Sequence, residues 1–177
     1  MIKRYTKPMP IDILIRLIAD IAVIPVVLLG AYALLFKVPK GQRFAAYSRI
    51  LMAGLTAYVL AKFIATMYQP SDLRPFEVLG VEPGAAYLDN PGFPSDHVLF
   101  VAAIALAVWF ETRQKVISIV LAGLVFLVAL GRVLALVHTP LDVIAGVAIA
   151  LVGALWYVQR IKNPELKRVR QKRGSHG

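Results

Sequence analysis

Eight side chains in this sequence have the types and spacing to do chemistry: Lys62, Arg74, Ser95, Asp96, His97, Arg132, His138 and Asp142. They form three short clusters: Lys62 with Arg74-Pro75, then Pro94-Ser95-Asp96-His97, then Arg132 with His138 and Asp142. Each cluster interrupts a long apolar run. Charged and imidazole groups are costly near hydrocarbon, so where they persist they mark functional sites by default. Three cations, two imidazoles, a hydroxyl and two carboxylates suit holding a phosphate group and attacking its phosphorus.

Local chemistry leaves more than one reading of some of these residues. A continuous helix would put Arg132 and His138 on different faces, because six residues advance about 600°. A helix break is written between them: Thr139 can cap a new helix, Pro140 suits its first position, and Asp142 stands where a capping-box acid belongs. Asp142 is therefore either punctuation or the acceptor that orients one ring nitrogen of His138 and leaves the other free to attack. His138 alone would more often be an interfacial histidine with its hydrogen bonds met than a nucleophile. In the second cluster, Ser95 is a natural cap and Asp96 is favoured in a first turn. The same helix N-terminus is a ready anion site, and His97 would stand over a phosphate bound there.

The elements that must position these residues are apolar helices. Of 177 residues, 59% are hydrophobic and 17% charged, with mean hydropathy +0.70, which excludes an ordinary water-soluble globule. Apolar stretches at roughly 11–36, 44–68, 95–111, 115–136 and 140–158 read as spans of one transmembrane domain over 1–160. The predicted fold is an all-α integral membrane bundle of about five to six helices, with the clusters at one membrane face. Pro25 predicts a kink in the first span. Asp12, Arg16 and Asp20, spaced four apart, predict a helical stripe of ion pairs where the helix starts in the interface. The 69–94 connection, rich in proline and glycine, is long enough to be functional. There is no cysteine, so thiolate and disulfide chemistry are excluded. No metal-ligand spacing is present, and no cofactor is expected.

Net charge is +10, concentrated near the ends. Residues 161–177 read as a basic cytoplasmic tail resting on anionic lipid headgroups, not as a nucleic-acid binder, since aromatics are not interleaved. The connections 37–43 and 111–115 share that basic character, so their face is expected to be cytoplasmic and the three clusters extracytoplasmic. The N-terminal stretch reads as a retained span, being too long for a cleaved signal.

In order and spacing the clusters resemble the signature of the type 2 phosphatidic acid phosphatase superfamily, membrane lipid phosphatases related in active site to vanadium haloperoxidases. The resemblance covers roughly 55–157. The family pattern is a lysine followed by Arg-Pro, then Pro-Ser-Gly-His, then Ser-Arg with a histidine six residues on and an aspartate four later. Arg132, His138 and Asp142 match in spacing, as do Pro94, Ser95 and His97. Asp96 replaces the usual glycine, in a Phe-Pro-Ser-Asp-His form similar to the branch that hydrolyses undecaprenyl diphosphate. Gly131 replaces the usual serine. Met67 occupies the usual lysine position, and Lys62 lies twelve residues before Arg74, roughly 9 Å below its helix end, a depth from which a lysine can snorkel upward.

The resemblance implies a metal-independent phosphatase with a phosphohistidine at His138, oriented by Asp142, and with His97 protonating the leaving oxygen. It implies that Lys62, Arg74, Ser95, Asp96 and Arg132 form the phosphate-holding group. The substrate is expected to be a membrane lipid phosphate, undecaprenyl diphosphate first. Phosphatidylglycerol phosphate and phosphatidic acid are alternatives, as is a non-catalytic anionic-lipid binding or transport protein.

Overall fold

The structure, a computed structural model, describes residues 9–158 apart from Pro91, and the regular structure among them is helical throughout. The expected basic tail lies outside the described residues.

The first membrane-long segment, Pro10–Phe36, has two halves. Helix α1 (Pro10–Arg16) starts on Pro10, with Asp12 accepting from the Met9 N–H at 2.9 Å. A π-helical segment, Leu17–Ile21, leads into α2 (Val23–Phe36). The distortion expected at Pro25 thus falls in the turns before it, because proline lacks an N–H and its ring crowds the carbonyl four residues back. The segment closes with a bond five residues long, Ala22 N–H to Leu17 O at 3.0 Å. This wider turn takes Asp20 off the Asp12–Arg16 stripe. The expected ion-paired stripe gives way to two carboxylates with separate partners, Asp12 on its own helix start and Asp20 on Arg132.

Helix α3 (Arg43–Met67), α6 (Lys115–Leu134) and the final stretch Pro140–Val158, made of α7 (Pro140–Gly153) and α8 (Leu155–Val158), are also long and apolar enough to cross a membrane. The shorter α5 (Asp96–Thr112) occupies the centre, touching α2, α3, α6 and α7. Its Val98, Val101 and Val108 are fully buried. Packing is the inverse of a water-soluble bundle. Large apolar side chains such as Leu28, Leu51, Val59 and Phe126 point outward, while Ala46, Ala53, Ala57 and Ala61 line the inner stripe of α3. Lipid is as apolar as leucine, so close backbone approach through small residues does the packing. At Gly153 even a Cβ would collide with the Ala53 carbonyl oxygen.

Helices α3 and α6 end, and α5 and α7 begin, at one end of the bundle. The turns at 37–42 and 113–114 lie at the other. Near that far end the buried Glu111 takes a bidentate bond from Arg49 at 2.7 and 2.8 Å, tying α3 to α5.

The 69–94 connection is anchored. It contains α4 (Pro75–Leu79), capped by Glu77 accepting from the Arg74 N–H at 2.6 Å and closed by Gly80 in the left-handed region. Phe76 N–H and Gly84 N–H donate to Leu136 O and Ala135 O, each at 3.0 Å. Phe76, Ala85, Ala135 and Val137 then form a small apolar core with Ala19. The connection is thereby fastened to the α6–α7 turn.

Candidate active site

The N-termini of α5 and α7 are placed side by side, which brings the second and third clusters together. Ser95 N–H donates to Asp142 O at 3.0 Å. Gly146 permits the approach, since a Cβ there would stand 2.9 Å from Ser95 O and 3.2 Å from Leu99 N. Between these ends lies a small cavity, about 20 Å³, whose walls include Arg74, Asn90, Asp96, His97, Arg132 and His138. That volume holds about one water.

His138 follows Leu136, where the chain turns through the left-handed region at φ 59°. It is buried, and its Nδ1 lies 3.6 Å from Asp142 Oδ2. That separation exceeds a hydrogen bond, although catalytic contacts often tighten only with substrate bound. Asp142 Oδ2 meanwhile accepts from the Thr139 N–H at 2.7 Å, and Thr139 Oγ1 accepts from the Asp142 N–H at 3.2 Å. Asp142 thus caps α7, and its carboxylate lies near His138 without a hydrogen bond to it. Burial pushes the His138 imidazole below its ordinary value, against the contact with Asp142, which raises it, while Arg132 and Arg74 lower it further. The ring is neutral near pH 7, as a nucleophile must be.

Arg74 is buried and held by the wall itself. Its Nε donates to Asn90 O at 3.1 Å, its Nη2 to Leu88 O and Asn90 Oδ1 at 3.0 and 2.8 Å, and its Nη1 to Val137 O at 2.5 Å. Gly92, with φ +96°, makes room, because a Cβ there would sit 2.9 Å from Arg74 Nη1. Burial lowers the Arg74 pKa from its ordinary value, and the nearby carboxylates of Asp142 and Glu77 offset this.

Arg132 is 1% exposed. Its Nη1 donates to Asp20 Oδ1 at 3.0 Å and to Ala86 O at 2.7 Å. Lys62 and Asp96, both expected in the phosphate-holding group, face each other instead: Lys62 Nζ stands 3.0 and 3.1 Å from the two Asp96 carboxylate oxygens.

Five buried side-chain atoms among the described residues have no hydrogen-bond partner, and three of them are Ser95 Oγ, Arg132 Nε and His138 Nδ1. Buried polar atoms are normally satisfied, so this concentration marks a place built to bind. No group of three His, Asp or Glu side chains suited to a metal occurs among the described residues.

Sequence reasoning missed Asp20 and Asn90. A signal for Asp20 existed, namely a carboxylate inside an apolar span, which is costly without a partner. Asn90 lies in a polar loop where nothing distinguishes it.

The chain is 26% identical over 148 residues to the undecaprenyl-diphosphatase BcrC of Bacillus subtilis (strain 168), covering 83% of this chain and 74% of the relative. It is 28% identical over 124 residues to the bacitracin transport permease protein BcrC of Bacillus licheniformis, covering 69% and 58% respectively. No solved structure matches it. A family model described as the PAP2 superfamily matches residues 44–165. Since that match runs from the start of α3 past the end of α8 and takes in all three clusters, the protein is a multi-pass membrane member of the PAP2 superfamily.

Proposed function

We propose that the protein is a lipid phosphate phosphatase that works through a phosphohistidine, with undecaprenyl diphosphate as the preferred substrate and undecaprenyl phosphate as the product. The observation that carries this reading is that Arg132 Nε, on the wall of the cavity shared with His97 and His138, and Ser95 Oγ, where α5 meets α7, are buried without protein partners. The Phe-Pro-Ser-Asp-His motif and the activity named for the Bacillus subtilis relative support the choice of lipid.

In this mechanism Nε2 of His138 attacks the terminal phosphorus while Nδ1 faces Asp142. As the N–P bond forms, the P–O bond to the leaving lipid phosphate breaks. His97 gives a proton to the leaving oxygen. Water then attacks the phosphohistidine, His97 takes a proton from it, and inorganic phosphate leaves with His138 restored. Arg132, Ser95 and Arg74 steady the phosphoryl oxygens, because phosphoryl transfer depends on positioning and cationic stabilisation. The guanidinium groups supply that charge, so no metal is assigned. The basic tail rests on anionic headgroups, with the site on the extracytoplasmic face.

The test is phosphate release by purified protein from undecaprenyl diphosphate, phosphatidylglycerol phosphate and phosphatidic acid in the presence of EDTA. The diphosphate is expected to react fastest, and His138→Ala to lose at least about 1,000-fold in rate, as removal of a catalytic nucleophile does. Full activity in His138→Ala would sink the mechanism. A transport role, the class named for the Bacillus licheniformis relative, predicts lipid binding with no phosphate released.

A further inference from the structure

The family match begins at residue 44, yet a site arginine is held by a residue well before it. Asp20, Ala86 and Arg132 close a ring of hydrogen bonds. Arg132 Nη1 donates to Asp20 Oδ1 at 3.0 Å and to Ala86 O at 2.7 Å, and the Ala86 N–H donates to Asp20 Oδ2 at 3.0 Å. Both hydrogens of Nη1 are thus taken up by protein. On the remaining edge of the guanidinium, Nε is buried without a hydrogen-bond partner, and with Nη2 it forms the edge whose parallel N–H groups match two oxygens of a phosphate.

Two sequence features make this ring possible. The π-helical turn Leu17–Ile21 rotates Asp20 toward α6. Gly131, standing where the family pattern has serine, lets that turn lie against α6, since a Cβ at 131 would come within 2.7 Å of Ala19 N and 2.9 Å of Ala19 Cα. The glycine is thereby explained as the space that the N-terminal helix needs.

We propose that Asp20 is a positioning residue for the phosphatase: it fixes Arg132 so that the Nε–Nη2 edge is presented to the substrate phosphoryl group, and Gly131 is the accommodation that admits it. This inference rests on the phosphatase reading. Asp20→Asn leaves one carbonyl oxygen where two acceptors are needed, so either Arg132 or Ala86 loses its bond.

The experiment measures kcat/KM and the inhibition constant of inorganic phosphate, which binds the same fork as product, on detergent-purified full-length protein. In Asp20→Asn, kcat/KM falls and the phosphate inhibition constant rises, each by about 10- to 100-fold, the range for a lost charge-assisted hydrogen bond. Asp20→Glu, which keeps both acceptors, retains most of the activity. Gly131→Ala shows the same loss as Asp20→Asn, while Gly123→Ala on the same helix, with nothing within 4 Å of its Cβ, behaves as wild type. A purely structural Asp20 would lower thermal stability and leave phosphate inhibition of the folded enzyme unchanged. Wild-type phosphate inhibition in Asp20→Asn or in Gly131→Ala overturns the proposal. An inactive wild type, or an active His138→Ala, counts against the phosphatase reading instead.

Discussion

A lysine and an aspartate facing each other from α3 and α5 set the charge at the mouth of the cavity. Asp96 brings a carboxylate to a wall that receives phosphate in the proposed function, and Lys62 neutralises it from 3.0 Å. The side chains are 45% and 32% exposed, so the pair contributes at most about 1 kcal/mol to stability and acts mainly on what the substrate meets. Lys62→Met is therefore expected to lower kcat/KM about 10-fold by leaving Asp96 uncompensated, with little change in melting temperature. Asp96→Asn in the Lys62→Met background should recover most of that loss, and steady-state assays of the four proteins decide it. Equal losses in the single and double variants would mean that Lys62 touches substrate directly. Spacing along the chain made the residue types at this site legible, but not their pairing. Lys62 and Asp96 lie 34 residues apart, and nothing local separates a lysine reaching up to phosphate from one reaching across to a carboxylate.

At the scale of elements, the site depends on α5 and α7 starting side by side. Four of the five expected spans form helices long and apolar enough to cross a membrane, legible because helices in lipid must satisfy their backbone internally and stay apolar over a membrane's width, while the fifth, 95–111, forms the shorter α5. The cap Thr139-Pro140-Leu-Asp142 fixed where α7 starts. The π-helical turn was not legible, because it depends on packing against Gly131 on a helix more than 100 residues away. Nor was the anchoring of the 69–94 connection, which rests on backbone bonds to Ala135 and Leu136 that involve no particular side chain. Gly146 is the sharpest test of the α5–α7 contact, because a methyl group there meets Ser95 O and Leu99 N, both backbone atoms. Gly146→Ala should force the two N-termini apart and cost about 1–3 kcal/mol of stability, as overpacking does. Phosphate release should fall with it, since Ser95 and His97 move away from His138. Gly54→Ala, where the new Cβ meets nothing within 4 Å, is the matched control. Thermal unfolding in detergent and phosphate release report the two effects separately, and a Gly146→Ala protein with wild-type values in both would remove the contact's importance.

For the whole molecule the remaining question is which way the bundle faces. At the end away from the site, the described connections carry Lys37, Lys40, Arg43, Arg113 and Lys115. At the site end, Arg74 and Arg132 are buried in the cavity wall and Lys62 is paired with Asp96, so these three basic residues are taken up within the protein. Lysine and arginine in short connections are retained on the cytoplasmic side, whereas aspartate and glutamate have little influence. The far end is therefore expected to be cytoplasmic and the site extracytoplasmic. Substrate then reaches Arg132 and His138 from the outer leaflet without crossing the membrane. The chain has no cysteine, so single cysteines introduced at exposed positions report sidedness without background. Asp72→Cys and Asp89→Cys, on the connection above the site, should react in intact cells with a membrane-impermeant maleimide. Gly41→Cys, in the opposite turn, should react only after the membrane is permeabilised. The reverse labelling pattern would invert the topology and place phosphate release in the cytoplasm, while leaving the geometry of His138, Asp142 and Arg132 as it stands.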